Sequence, residues 1–507
     1  MAGSFSVRTE PDGEKSQQKR IFGEYCAFPV VFPDKTWYND RVNTLEKGSF
    51  AVMDHIIPKG KYRYILLVLM IFLLTVPVSA RTYGDRFADV PADAWYHGYV
   101  SAAYEMGIID GTDETHYQPD GYVTLAECIK LASCIHQLRT EGEVSLTNGT
   151  EIWYETYVQY ALDNGILEVP FDDYTTPADR AQTVVIFAAV LPEDEPVINP
   201  PGTLGFRDVT DETAWYYGDV YRMYGCGIMV GDDTYRFCPD EPILRSEMAA
   251  VTVRMLDGDT RVTRPITAPA QVECAVLMYH NFAEQPADYT VTPMTFRSHL
   301  RALKEAGYES ISFRELILYT EGKIPLPEKC VLLTSDDGYS GVLDIALPLL
   351  REFDMQMSVA VIGNLIGTGA DGSLPHFTMD DIKKADGEGR IEVISHSWGL
   401  HTNGSYLDGA VNLAMTEADY TAYLAADRDK LLAAVGADFP MAEKVFVYPF
   451  GKYSAASEAW LASVGCKVSV TVDRGISHIS VGDSLYLLKR IPAEWYTTGE
   501  ALLRNMK

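Results

Sequence analysis

The segment RFADVPADAWYHGYVSAAYEMGIIDG at residues 86–111 returns as GFRDVTDETAWYYGDVYRMYGCGIMVGDD at 205–233, with a worn copy, EIWYETYVQYALDNGIL, between them at 151–167. This recurrence constrains the fold more than any other feature. A short repeat cannot bury its own apolar face and must stack on its neighbours. Each copy opens on a tryptophan (Trp95, Trp153 or Trp215), continues with apolar residues at helical spacing, and stops at Gly-Ile. A second helical stretch follows in each: VTLAECIKLAS, TPADRAQTVVIFAAV and ILRSEMAAVTVRML, with polar or acidic residues at its start. The pattern predicts three helical pairs of about 50 residues, at 86–140, 150–192 and 205–258, packed as an all-α trimer of repeats.

The tetrads at the starts of the second helices are Thr124 to Glu127 (TLAE), Asp179 to Gln182 (DRAQ) and Leu244 to Glu247 (LRSE). With these tetrads and the Trp starts, residues 86–258 resemble S-layer homology (SLH) domains, which occur in threes in exported bacterial proteins. The resemblance implies packing about a pseudo-threefold axis and binding of a secondary cell-wall polymer, here through Trp95, Trp153, Arg180, Trp215 and Arg245. Leu125 stands where the family arginine would be in the first repeat. Read from residue chemistry alone, the three tryptophans are core aromatics and the two arginines surface charge at helix starts.

A Pro- and Thr-rich stretch, with little to bury, reads as a linker over 259–271. Beyond it, apolar β-branched runs alternate with amphipathic helices: ECAVLMYH, KCVLLTSDD, MSVAVIG, RIEVISHS, KVFVYPFG, CKVSVTV and SLYLLKRI mark the strands. Strands apolar on both faces, separated by helices, indicate a parallel sheet. Six or seven such units predict an α/β barrel of distorted (β/α)7 type over 272–507, closed or incomplete, with function at the C-terminal strand ends.

Those ends carry Tyr279 and His280, Asp336 and Asp337, His396 to His401, Tyr448 to Phe450, and Asp473. Two histidines and a carboxylate form a common divalent-metal set, and no regular helix can present both histidines of HSWGLH, because a five-residue step turns about 140°. The expectation is that His396 ends its strand and that Gly399 permits an irregular, π-like turn that brings His401 back.

At these residues the chain resembles polysaccharide deacetylases of the NodB-homology type (carbohydrate esterase family 4), nearest the branch acting on poly-β-1,6-N-acetylglucosamine. The resemblance implies Asp336 as catalytic base, Asp337, His396 and His401 as metal ligands, His280 of VLMYHNF as general acid, and the Phe450 amide of VYPFG as oxyanion donor. The cation would be zinc, with cobalt, nickel or iron as substitutes. Where many members carry an Arg motif and a terminal Leu-x-His, this chain has LLKRIP, so Arg490 is expected to orient Asp473 or Asp336, with His478 a second candidate acid. Tyr279, Trp398, Tyr448 and Phe450 offer aromatic faces to sugar rings, or pack in the core.

The balance of 42 basic and 71 acidic residues, a net charge of −29, argues against a phosphate-backbone partner and suits neutral or cationic glycans, and the resemblance implies an acetylated polysaccharide as the substrate. YILLVLMIFLLTVPVSA at 64–80 follows Lys59, Lys61 and Arg63 and reads as a signal segment cut after Ala80, with a retained anchor as the alternative. Its long lead-in, 1–63, suggests that translation starts at Met53. The expected location is extracellular, at the cell wall or S-layer. Seven cysteines remain beyond Cys26, an odd number; Cys226 and Cys238 either pair or are small buried hydrophobes. The remaining alternatives are deacetylation of peptidoglycan, removal of O-acetyl esters from xylan, and a non-catalytic glycan-binding surface protein.

Overall fold

The computed structural model describes residues 81–200, 202, 204–369, 374–387, 389–436 and 438–507. The signal segment, its cleavage after Ala80 and the Met53 start lie outside these residues. Among the described residues no helix is long and apolar enough to cross a membrane. The chain divides into two compact units, one reaching Pro265 and the other holding Gly202–Thr210, Asp232–Arg236 and Ile266–Lys507. The linker expected from residue 259 is shorter than its composition suggests. Val262 N–H donates to the Gly227 carbonyl (3.0 Å) and Arg264 N–H to Asn199 Oδ1 (2.7 Å), which ties these residues into the first unit.

The first unit holds three helical pairs: α1 (His97–Glu105) with α2 (Leu125–Glu141), α3 (Glu155–Asp163) with α4 (Arg180–Ala188), and α5 (Tyr217–Gly225) with α6 (Arg245–Leu256). The three tetrads are the starts of α2, α4 and α6. Thr124 and Asp179 each accept the N–H three residues on (3.3 and 2.6 Å), and Glu127 and Gln182 return the bond to the capping residue's own N–H (2.9 and 3.0 Å). Leu244 has no acceptor, so only the Glu247 half of its box remains, at 2.9 Å.

Just ahead of these helices the backbone closes on itself. Val123 N–H donates to Ile243 O (3.1 Å), Ile243 N–H to Ala178 O (3.0 Å), and Ala178 N–H to Val123 O (2.8 Å). Each arginine reaches across a repeat boundary. Arg180 donates to Phe237 O (2.7 Å) and Glu247 (2.6 Å), and Arg245 to Tyr117 O (2.9 Å) and Glu127 (3.3 Å). The threefold-related third pair is Leu125 with Gln182, so the missing arginine and the missing acid are one paired change. These guanidiniums are mostly buried rather than surface charge. The tryptophans also depart from the core reading: Trp95 and Trp215 are 60% and 64% exposed. Trp153 is half-buried, with Lys130 Nζ 5.8 Å from its ring centre. Cys226 is a free, buried thiol, so the 226–238 pairing is not formed.

The second unit is a closed barrel. Its strands are β1 (Gln271–Tyr279), β2 (Glu309–Ser310), β3 (Lys329–Ser335), β4 (Met357–Val361), β5 (Ile391–Ser395), β6 (Val445–Val447), β7 (Val468–Arg474), β8 (Ser477–Ser480) and β9 (Leu485–Pro492). Seven of them pair parallel around the ring, in the order β1, β9, β7, β6, β5, β4, β3 and back to β1. Short β2 flanks β3, and β8 pairs antiparallel with the start of β1. The two-residue alternation of strand side chains explains the continuous apolar runs. Cys274, Val276, Leu332, Ala360, Ile394, Val447 and Val470 form one cluster, inside the barrel. Leu277, Leu333, Val359 and Val393 join Phe296, Leu300 and Leu350 of the covering helices in another. Because the ring is parallel, every C-terminal strand end opens on one rim.

Candidate active site

Thr334 and Asp336 share the inward face of β3, so the strand period alone would send Asp337 outward. The backbone reverses it. Asp337 has φ 75° and Gly338 φ 82°, two left-handed residues in succession, and this turn swings the second carboxylate back over the rim. Asp336 N–H is held by Tyr279 O at 3.0 Å, and Ser335 Oγ donates to His280 O at 2.6 Å, so β1 and β3 stay zipped to the mouth.

Asp336 is buried, and burial by itself would raise its carboxyl pKa. Arg490 reverses that direction and, helped by His396 and His280, holds the carboxyl well below the usual carboxylate range. The guanidinium lies 2.7 Å from Asp336 Oδ1 and its side chain is 1% exposed. It is aimed by a 2.7 Å bond from Nε to Thr471 O on β7 and reaches Thr334 Oγ1 at 3.4 Å.

Asp337 Oδ1 is buried and has no hydrogen-bond partner. Facing it are His396 Nε2 at 3.6 Å and His401 Nε2 at 3.8 Å, and one donor atom from each of the three residues lies within 4.8 Å of the others. His396 Nδ1 lies 2.8 Å from the Val447 carbonyl, a contact that requires the proton on Nδ1 and leaves Nε2 with a free lone pair. A sealed, partnerless carboxylate oxygen opposite two imidazole nitrogens fits a divalent cation.

The turn between the histidines is not built as its sequence suggested. Ser397, not Gly399, takes the left-handed conformation, at φ 72°. Gly399 serves close approach instead, since a Cβ there would meet Asn364 Nδ2 at 3.2 Å. The turn is clamped by a residue that the motif does not include. The buried Asp427 carboxylate, on the helix Glu417–Leu431, accepts Trp398 N–H and Gly399 N–H, both at 2.8 Å. Tyr339, directly after Gly338, is a second neighbour outside the motif: burial and the Asp337 carboxylate push the pKa of its hydroxyl up to about 12, and His376 stacks on its ring at 4.7 Å.

The remaining predicted residues divide. His280 lies at the end of β1, its pKa lowered by burial against the opposing pull of Asp336 and Asp337. Phe450 is exposed at the rim with φ 58°, its ring 4.0 Å from that of His401. Tyr448 is not a sugar face: it is fully buried, and its hydroxyl donates to Glu458 at 2.5 Å. Tyr279 is likewise buried, bonded to His299 at 3.1 Å. Trp398 packs on the core over Gly363, where a Cβ would lie 2.5 Å from its ring. Arg490 serves Asp336 and not Asp473, which is exposed and within reach of Tyr453 Oη at 3.4 Å. His478 pairs in register with Glu273 near the start of β1, at the opposite end of the barrel, and is no candidate acid.

Comparison with known proteins agrees with both halves of the chain. The family model for polysaccharide deacetylase matches residues 323–469, and that for the S-layer homology domain matches 86–128 and 205–249. A poly-β-1,6-N-acetyl-D-glucosamine N-deacetylase of Escherichia coli (strain K12) is 26% identical over 236 residues, 41% of this chain and 35% of that protein. A protein of the same name from Staphylococcus epidermidis is 24% identical over 169 residues, 32% of this chain and 55% of its own length. The surface-layer 125 kDa protein of Lysinibacillus sphaericus is 30% identical over 100 residues, 19% of this chain and 8% of that protein. The S-layer match covers the first and third copies; the middle one shares their helix pair and backbone ring. The chain thus carries a polysaccharide deacetylase domain in its barrel and two S-layer homology domains ahead of it in sequence.

Proposed function

We propose that the protein is a metal-dependent N-deacetylase of the cell surface, acting on a polysaccharide of the poly-N-acetylglucosamine type. The observation that carries this reading is the partnerless Asp337 Oδ1 facing His396 and His401, beside an Asp336 that Arg490 keeps ionised. A divalent cation held by these three residues supplies Lewis acidity, which brings the pKa of water to around 7 and polarises an acetyl carbonyl. Asp336 is free to take the proton of the attacking water, since its carboxyl is anionic at any physiological pH. The Phe450 N–H is the candidate donor to the oxyanion, and His280 the candidate donor of a proton to the departing amine. Exported to the cell surface, the protein would be retained by its helical repeats, with exposed Trp95 and Trp215 supporting contact with a wall polymer. The names of the two N-deacetylase relatives favour an N-acetyl over an O-acetyl substrate. Acetate release by the full chain from β-1,6-linked N-acetylglucosamine oligomers, peptidoglycan and acetyl-xylan, each with and without chelator, tests the reading. Release from the first alone, abolished by chelator, is expected. Release only from xylan, or release indifferent to chelator, would overturn it.

A further inference from the structure

Tyr289 combines three features that packing does not explain. It is 66% exposed, it has φ 60°, and its ring centre lies 5.0 Å from that of His280, tilted by 55°. A bulky non-glycine residue in the left-handed region is strained, and an exposed ring recovers little of that cost through burial. The surrounding chain enforces the conformation. Asn281 N–H donates to Tyr289 O (3.0 Å), and Asn281–Phe282 pair with Thr290–Val291 in a small ribbon just beyond β1. The ribbon is pressed against the loop after the two aspartates, where a Cβ at Gly341 would lie 2.1 Å from the Phe282 carbonyl oxygen. The ring is thereby fixed beside His280 at the barrel mouth, with much of its surface open to solvent. Strain of this kind, held in place by neighbours at a site rim, points to a role in binding.

We propose that Tyr289 is a sugar platform: its open surface stacks on the apolar face of a pyranose next to the residue being deacetylated, and so selects a chain over an isolated acetyl group. The proposal rests on the deacetylase reading. It makes Tyr289 a specificity residue and gives the proton chemistry to His280 alone. The ring matters and the hydroxyl does not.

The test uses the full chain loaded with zinc, a series of N-acetylated glucosamine tetramers, and a small activated acetyl ester that has no sugar. Tyr289→Asn keeps a residue that tolerates the left-handed region but removes the platform. It is expected to raise KM for whichever tetramer is turned over by about tenfold with kcat little changed, the signature of lost uniform binding, and to leave turnover of the ester unaltered. Tyr289→Phe should restore the wild-type KM. The melting temperature of Tyr289→Asn should equal or exceed that of the wild type, because strain is relieved. An unchanged tetramer KM in an active Tyr289→Asn protein, or equal losses on tetramer and ester, would overturn the platform alone. A wild type that releases acetate from no tetramer overturns the deacetylase reading, and the platform with it.

Discussion

Arg490 and Asp336 form a buried ion pair 2.7 Å apart, one on the last strand of the barrel ring and the other at the tip of the third. The pair closes the ring chemically as the β-ladder closes it mechanically, and it holds the Asp336 carboxylate ionised although almost none of that residue's surface is exposed. Removing either partner leaves the other charged and unpaired in a medium that penalises charge.

Arg490→Met should therefore cost about 3–5 kcal/mol of stability and nearly all glycan turnover, because Asp336 would lose its anionic form. Arg490→Lys should also fail, since one ammonium cannot reproduce the fork that serves Thr471 O and Asp336 together. Urea unfolding and acetate release measure both; a fully active Arg490→Lys protein would show that the fork is dispensable.

One equivalent of zinc per chain is expected by elemental analysis after dialysis. Asp337→Ala should bring it close to zero, whereas Asp336→Asn should keep the metal and lose turnover. Stoichiometric zinc in Asp337→Ala would remove the proposed site.

Asp427→Ala strips the clamp from two part-buried N–H groups, at a cost of about 1 kcal/mol or more. Because the clamp sets where His396 and His401 stand, zinc affinity should fall about 10- to 100-fold, as for other groups that hold ligands in place. Competition with a chromophoric chelator reads this directly. Unchanged affinity would mean that the turn holds its shape without the carboxylate.

In the helical unit, Leu125 with Gln182 is a natural neutral version of the Arg180–Glu247 and Arg245–Glu127 pairs. Arg180→Leu and Glu247→Gln should each destabilise, and the double variant should recover about 1 kcal/mol of the summed loss. Additive losses in thermal melts would mean that the pair is not coupled.

His299 is fully buried, with one nitrogen 2.7 Å from Thr497 O and the other 3.1 Å from Tyr279 Oη, and burial lowers its pKa despite the opposing carbonyl contact. The unfolded chain takes up this proton near pH 6.5 while the folded chain resists it, so the stabilisation is complete above that pH and declines as the pH falls below it. The unfolding free energy read from urea titrations should drop between pH 7.5 and 5.5, by up to about 1.4 kcal/mol per pH unit from this group. His299→Gln should flatten the slope; an identical slope would exclude His299 as its source.

How much of this was legible in the sequence follows from physical range. The gathering of Asp336, Asp337 and His396 at one rim could be read because they follow the ends of apolar runs, with His401 in the turn after His396, and a parallel barrel brings such ends together. Counting six or seven units predicts a barrel but leaves its closure open, which only the parallel pairing of β1 with both β9 and β3 decides. Which carboxylate Arg490 serves was not legible, since inward and outward faces of a strand cannot be assigned until the register is known. The Ser397 turn was missed because glycine is the default guess for a left-handed residue, and here serine bonding tolerates one: Ser397 Oγ accepts Leu400 N–H at 2.9 Å. Asp427 lies on another helix, and only tertiary structure brings it to the histidine turn. For Trp95 and Trp215 the core reading fails on their exposure, and residue type alone does not decide it because aromaticity argues equally for a core and for a binding face.

The three-bond circuit through Val123, Ile243 and Ala178 fixes how many repeats this unit can have. Each member both gives and receives, so excising one would leave a dangling donor and a dangling acceptor with no mates. The middle copy, whose motif has drifted furthest, is thus a keystone: its letters are free to wander, but its place in the arch is not.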